Sequence, residues 1–261
     1  MPRIAPPCSL TGMDAEAVRV RLPGRRIEWF DSIGSTMTVA AELARQGCAG
    51  GTIVGADEQS AGVGRHGRSW LSERGTGLYV SLVLRLPLQA ETLPVVMLAL
   101  GLATRGTIVE TTRLAPDLRW PNDVLIGERK CAGILAQLDG GAIIAGIGIN
   151  VSQTGFPENL DTPATSLAMV GARVTREDLL VALASGLDRH LEILARDGAP
   201  AILRAFGAAS SYATGRRVRT ERDGRRIEGV TCGLDASGFL KIREDNGMET
   251  VILVGGVRPC S

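Results

Sequence analysis

The sequence predicts an α+β fold in two parts, and three observations predict it. Between residues 26 and 211, segments of two-residue alternation interleave with segments of helical period. Four strand-like stretches follow one another between residues 118 and 151, ahead of a long amphipathic helix. From Arg216 the texture changes to short strands separated by Asp223-Gly224, Asp235 to Gly238 and Asn246-Gly247, a run of hairpin signals. The expected organisation is an arm or peripheral helix over residues 1–25, a helix-and-strand domain over 26–211 and a small all-β barrel or sheet over 212–261.

The first 24 residues carry Pro2, Pro6, Pro7 and Pro23 around one short amphipathic stretch, too little for a helix-turn-helix domain with its own core. "RRIEWFDS" alternates like a strand, and "STMTVAAELARQG" reads as a helix opened by Ser35 or Thr36 and closed by Gly47. "GTIVGADEQ" is a buried strand, and "GLYVSLVLRL" (residues 77–86) is another. "ETLPVVMLALGLATRGTIVE" has a helical period that tolerates Pro94 in its first turn. "LRW", "DVLIG", "ERKCAGILAQLD" and "AIIAGIGINV" supply four strands, the middle two joined by a Gly127-Glu128 turn. Thr175 caps the long helix that follows, with Leu180, Leu183, Ala184, Leu187, Leu191 and Leu194 on one face. His190 on its flank reads as a packing residue, since no second histidine or cysteine stands at metal spacing.

Composition narrows the partners. Twenty-nine basic and 28 acidic residues leave a net charge of +1, so no global field marks a nucleic-acid or membrane-surface binder. The five cysteines are odd in number and contain no C-x-x-C pair, which predicts a reducing cytoplasm. The most apolar stretch, Leu93 to Ala103, ends before Arg105 and falls short of the roughly 20 residues that span a bilayer. The basic set is 27 arginines and two lysines, Lys130 and Lys241. In such a chain a lysine marks a place where a compact ammonium differs from a planar fork.

"GVGRHGRSW", residues 62–70, spells two phosphate motifs at once. It satisfies G-x-G-x-x-G and comes within one residue of G-x-x-x-x-G-K-[ST], with Arg68 in the lysine position. Both motifs require a helix directly after the loop, and here another strand follows; no acidic residue stands at ribose distance either. What remains is a strand-loop-strand segment whose glycines expose backbone donors while Arg65, Arg68 and His66 supply charge, a cradle for an anion. "RWPNDVLIGERKCAGIL", residues 119–135, then places Asp123 and Lys130 seven positions apart around a turn, so a hairpin returns the lysine toward the carboxylate.

Five segments in register, "GST" (residues 34–36), "EQSAGVGRHGRSW" (58–70), "WPND" (120–123), "KCAGIL" (130–135) and "GIGINV" (146–151), resemble those of the biotin protein ligases, from about residue 30 to the end of the chain. The resemblance implies a mixed β-sheet catalytic domain packed with helices, related to class II aminoacyl-tRNA synthetases and lipoate ligases, followed by an SH3-like barrel. It also implies a short, monofunctional ligase without a DNA-binding domain. Where that family often reads G-R-G-R-R-G-R, this chain has Val63 and His66, which leaves Arg65 and Arg68 as the permanent cations of the loop.

The implied reaction is ATP-dependent activation of biotin to biotinyl-5'-AMP with Mg²⁺, then transfer to a lysine of a biotin carboxyl-carrier protein. The nucleophile of the first half is already an anion, so fixed cations rather than a base lower the barrier. By resemblance, Lys130, Arg65 and Asp123 are catalytic, with Lys130 bridging carboxylate and α-phosphate. Ser35, Thr36, Gln59, Gly62, Val63, Gly64, Arg65, Lys130 and Gly133 are expected around biotin, with Ser35, Thr36 and Gln59 bonding its ureido ring. Arg65, Arg68, Trp70, Asn122, Asp123, Lys130 and Asn150 are expected around ATP and the adenylate. Asp123 either binds metal or orients and deprotonates the acceptor amine. Trp120 reads as core, while Trp70 fits either core or adenine cover. A lipoate ligase performs the same two steps on a related fold. A biotin-responsive repressor would need DNA contacts that the N-terminal residues do not supply, and a non-catalytic interaction protein leaves the clustered charges unexplained. Neither membrane nor DNA is expected as a partner, and a homodimer stays open.

Overall fold

Seven strands pair in the order β1-β2-β3-β7-β6-β5-β4 to build the larger of two sheets. In a computed structural model that describes residues 12–86, 92–222 and 225–260, these are β1 (Ile27–Phe30), β2 (Ile53–Ala56), β3 (Gly77–Leu84), β4 (Asp117–Arg119), β5 (Asp123–Ile126), β6 (Arg129–Asp139) and β7 (Ala142–Asn150). Only β1 and β2 run parallel; the other neighbours are antiparallel, so the sheet is mixed. Alternation sorts the side chains by face. Leu78, Val80 and Leu82 of β3 enter the large core that also holds α3 (Leu93–Thr112), α4 (Arg176–Asp197) and Phe206 of α5 (Ala199–Ala209). Val83, Val54 and Ile144 face the other way, onto Met37, Ala40, Ala41 and Ala44 of α2 (Thr36–Arg45).

Thr175 caps α4 by accepting from the amide of Asp178, as its place in the sequence predicts. His190 sits on the same helix with Nδ1 2.8 Å from the Gly186 carbonyl oxygen, a satisfied packing residue. The short amphipathic stretch near the N-terminus forms α1 (Ala15–Arg21). Residues 1–11, with their prolines, lie outside the described residues. Behind α1, the buried Asp57 carboxylate takes Arg176 at 2.7 Å and Trp29 Nε1 at 3.2 Å.

Two expectations change. A second helix, α5, follows α4 directly, because Gly198 at φ +72° turns the chain and Pro200 starts a new helix where its missing N–H costs nothing. At 20 residues, α3 is also the one helix among the described residues long and apolar enough to cross a membrane, whereas Leu93–Ala103 alone falls short. In the fold 67% of its most apolar window is buried, and it packs on α4 as a core helix.

The C-terminal strands β8 (Thr214–Arg222), β9 (Arg225–Leu234), β10 (Leu240–Glu244), β11 (Glu249–Ile252) and β12 (Arg258–Pro259) form a five-stranded antiparallel sheet in the order β11-β10-β9-β8-β12. Asp235 accepts from the amides of Ser237 and Phe239, and Asn246 from that of Met248, so both turns are built on the side chains that signal them. The Asp223-Gly224 turn lies outside the described residues. The module is seated on the larger domain through Trp120, whose Nε1 donates to Gly238 O at 3.0 Å; Trp120 is therefore core, as the sequence predicts.

Candidate active site

The β5–β6 hairpin turns at Gly127 (φ +54°) and Glu128 (φ +66°) and pairs Asp123 with Gly133. A register shift between Val124 and Leu125 then brings Lys130 Nζ to 2.6 Å from Asp123 Oδ1. The other carboxylate oxygen, Oδ2, accepts from Arg119 Nη2 at 2.5 Å. Burial acts to raise the pKa of Asp123, but Lys130 and Arg119 outweigh it and hold the carboxyl below its usual range. The Lys130 backbone is fixed as well: its N–H donates to Pro163 O at 2.8 Å and its carbonyl accepts from Thr165 at 3.0 Å. Asn150 Nδ2 completes the clasp by donating to Thr165 O at 3.0 Å and Lys130 O at 3.3 Å.

The glycine loop is a small hairpin rather than the mouth of a helix. Gly62 O accepts from Trp70 N at 2.9 Å and Gly64 N donates to Arg68 O at 2.7 Å around a 3-10 turn over Arg65–Gly67. A Cβ on Gly62 would stand 2.8 Å from Ser72 Oγ, so only glycine lets the two arms close. Arg65 reaches across the cleft to Gly255 O at 2.9 Å and to Asn122 Oδ1 at 3.3 Å. Burial lowers the pKa of Arg65, with Asp123 opposing and Arg68 adding to the shift. Arg68 pairs with Asp161 at 2.7 Å in the open, both side chains about 60% exposed. His66 is pushed below the usual histidine value by desolvation and by Arg65 and Arg68, which fits a neutral ring in the free protein.

Trp70 lies flat on the sheet. Its ring centroid is 5.2 Å from Lys130 Nζ, and a Cβ on Gly133 would come within 2.8 Å of the ring. Gly133 and Gly148 are register partners on β6 and β7 and both face the indole, so the floor beneath it carries no side chains.

The indole separates two spaces. On one side is a small pocket of about 50 Å³ lined by Ser35, Thr36, Gln59, Val63, Gly64, Arg65, Lys130 and Gly133 among others. Of the residues expected around biotin only Gly62 is absent from that wall. Gln59 Oε1 accepts from Thr36 N at 2.8 Å and from Thr36 Oγ1 at 3.0 Å, and its Nε2 donates to Ser72. Ser35 holds the helix-capping position yet makes no cap bond; its buried hydroxyl has no partner. An unpaired buried hydroxyl on a pocket wall fits a polar ligand that completes it.

On the other side opens a cleft of about 870 Å³ lined by Arg65, Arg68, Trp70, Asn122, Asp123, Lys130 and Asn150, all seven residues expected around the nucleotide. Its far wall comes from the C-terminal module, including Arg219, Gly255 and Arg258. Burial and neighbouring Arg119 lower the pKa of Arg258, while Asp123 opposes them. Sequence reasoning missed Asp161, Thr162 and Arg258, which line the cleft from segments without a local motif, and Arg119, which stands directly before "WPND" and reaches the site through Asp123. Lys241 lies outside both spaces, 3.7 Å from Glu249. Among the described residues no group of three or more His, Cys, Asp or Glu could hold a metal ion.

Residues 29–153 match the Biotin/lipoate A/B protein ligase family, and residues 214–256 match the Biotin protein ligase C terminal domain. The chain is 33% identical to the biotin--[acetyl-CoA-carboxylase] ligase of Mycobacterium tuberculosis, over 97% of this chain and 96% of that protein. Its counterpart from Paracoccus denitrificans is 34% identical over 83% of this chain and 94% of its own length. Among solved structures, the biotin protein ligase from Aquifex aeolicus in complex with biotin and ATP superposes with a TM-score of 0.80 at 31% identity, covering 90% of this chain and 99% of that one. Likeness that runs through both domains and nearly the whole of each partner makes this chain a member of the biotin protein ligase family.

Proposed function

We infer that the protein activates biotin with ATP and transfers it to a lysine of a biotin carboxyl-carrier domain, as the names of its relatives describe for acetyl-CoA carboxylase. The observation that carries this reading is the position of Lys130, which belongs to both the small pocket and the large cleft. A carboxylate oxygen of biotin attacks the α-phosphorus, the bond to the bridging oxygen of the β-phosphate breaks, and pyrophosphate leaves. The carrier amine, after losing a proton, then attacks the acyl carbon and AMP leaves. Two anions meet in the first step, so the repulsion between them and the charge growing on phosphate oxygens set the barrier.

Each residue has a role in that scheme. Ser35, Thr36 and Gln59 hold the ureido ring, with the free Ser35 hydroxyl gaining a partner. Lys130 bridges the reacting carboxylate and α-phosphate, and Arg65 and Arg68 exchange Gly255 O and Asp161 for phosphate oxygens as the loop closes. Trp70 shields the bond being made, because an acyl-adenylate hydrolyses in water. Asp123 orients Lys130: with one cation on each oxygen and a lowered pKa it is a weak base and offers a metal little. A magnesium ion would be held mainly by the nucleotide's own phosphate oxygens and water, and would neutralise charge growing there. The four described cysteines are unpaired, in keeping with a reaction in the reducing cytoplasm.

The test is ATP- and biotin-dependent labelling of a purified carrier domain, with lipoate as the competing acid. Labelling by biotin alone is expected. Equal use of lipoate, or no adenylate from either acid, would overturn the assignment.

A further inference from the structure

Arg119 and Tyr212 were singled out by no motif, yet both stand next to the reacting cluster. Arg119 is 2% exposed; its Nη2 holds Asp123 at 2.5 Å and Thr162 Oγ1 at 2.7 Å, while its Nε has no partner. A buried guanidinium with so few bonds needs another constraint to keep its plane. Tyr212 supplies one: its buried ring lies with its centroid 6.0 Å from the Arg119 guanidinium and 4.4 Å from that of Arg216. The Tyr212 hydroxyl donates to Glu128 at the tip of the β5–β6 hairpin, and Glu128 pairs with Arg216 at 2.6 Å.

Tyr212 sits in the turn where the chain leaves α5 for the C-terminal module. That turn is stitched to β4, the strand that ends in Arg119. Ser210 Oγ donates to Leu118 O at 2.5 Å, Ser211 N to Asp117 Oδ1 at 2.9 Å and Ser211 Oγ to Asp117 Oδ2 at 2.5 Å. A continuous line of contacts therefore runs from the start of the module through Tyr212, Arg119 and Asp123 to Lys130, and on to Trp70 in the glycine loop.

We propose that Arg119 and Tyr212 are positioning residues: the seating of the C-terminal module fixes the Tyr212 ring, the ring fixes Arg119, and Arg119 holds Asp123 so that Lys130 Nζ stands where carboxylate and phosphate meet. This rests on the role given to Lys130 above. Displacement of a reacting group by about 1 Å is enough to cost on the order of 10²-fold in rate, so the line needs to transmit only small shifts. A planar guanidinium beside an aromatic ring suits the task where a compact ammonium would not.

The chain's two lysines make the test direct. Labelling with ¹⁵N-lysine gives two side-chain ammonium signals, one for Lys130 and one for Lys241. In Tyr212→Leu the Lys130 signal is expected to shift while that of Lys241 stays. Single-turnover biotinyl-adenylate formation should slow about 10- to 100-fold, with KM for biotin changed by less than about threefold. Tyr212→Phe, which keeps the ring, should restore most of the rate. Should Tyr212→Leu fail to fold, Arg119→Gln carries the same two readouts without adding a third lysine, since it keeps a hydrogen-bond donor and drops the guanidinium plane. An unmoved Lys130 signal with wild-type rate in a folded variant overturns the proposal, as does Tyr212→Phe matching the loss in Tyr212→Leu. A wild-type protein that makes no biotinyl-adenylate sinks the enzymatic reading instead; the NMR readout is independent of it.

Discussion

The cleft draws its positive charge from two regions built in opposite ways. On the β5–β6 hairpin, Lys130 and Asp123 are 23% and 11% exposed and sheet register sets their distance. At the glycine loop, Arg68 meets Asp161 of the segment between β7 and α4; both side chains are about 60% exposed, and among the described residues no backbone bond joins residues 62–70 to that segment. A buried carboxylate held by two cations is expensive to disturb, whereas an exposed pair contributes about 0–1 kcal/mol and is screened by salt. The hairpin thus offers a cation that is in place before substrate arrives, and the loop offers cations whose partners a phosphate can displace.

The sharpest way to break this contrast is to change the fixed cation. Lys130→Arg should keep the fold and biotin binding but lose about 10²-fold in single-turnover adenylate formation, because the larger planar group displaces the reacting atoms. Lys241→Arg, at an ion pair outside the cleft, should stay within about 0.5 kcal/mol of wild type in stability and match its rate. Wild-type rates in Lys130→Arg would remove that residue from catalysis.

Next in size is the stability difference between the two carboxylates. Asp123→Ala strands a buried Arg119 and should cost about 3–5 kcal/mol in urea unfolding, while Asp161→Ala should cost under about 1 kcal/mol. Equal costs would mean that the hairpin cluster is no more fixed than the loop.

A third test asks whether the loop moves. The small pocket, at about 50 Å³, has room for a few waters but not for a bicyclic ring, so part of its wall would have to shift for biotin to occupy it. Amide exchange over residues 62–77 should slow on addition of biotin and ATP while β6 is unchanged. Identical protection with and without ligands would count against an exchangeable loop.

The smallest effect concerns His66. Desolvation, Arg65 and Arg68 lower its folded-state pKa. The stability it contributes is therefore present above the ordinary histidine value and lost as pH falls through the lowered one. An exposed ring makes this small. NMR titration should place His66 below 6.5 in the free protein and move it upward once a phosphate-bearing ligand sits in the cleft; the same value in both states would show that phosphate does not reach the loop.

Local chemistry made part of the site legible. The Gly127-Glu128 turn predicts that Lys130 returns to Asp123, and the missing helix after Gly67 already excludes a P-loop. Ser35 announces the helix start, but nothing in a linear sequence tells that its hydroxyl would turn from the backbone toward a pocket. Arg119 precedes the "WPND" stretch as one arginine among 27, and only the pairing of β4 with β5 shows that it shares Asp123. Gly255 and Arg258 arrive from the last dozen residues through the docking of two domains, a relation without local signature. The helix α5 was hidden for a different reason: its apolar residues continue the period of α4, and a single Gly198 divides them.

The scarcity of lysine has a meaning of its own in a protein that makes an amine-seeking intermediate. An acyl-adenylate that escapes the cleft can acylate any nearby side-chain amine, and this chain presents two. One of them, Lys130, is clamped on Asp123 beneath Trp70, and the other, Lys241, is half covered beside Glu249. The 27 arginines keep the protein near neutral charge without giving the leaked reagent a nucleophile, since a guanidinium stays protonated at pH 7. With so few lysines, this ligase offers its own intermediate few side-chain amines to acylate.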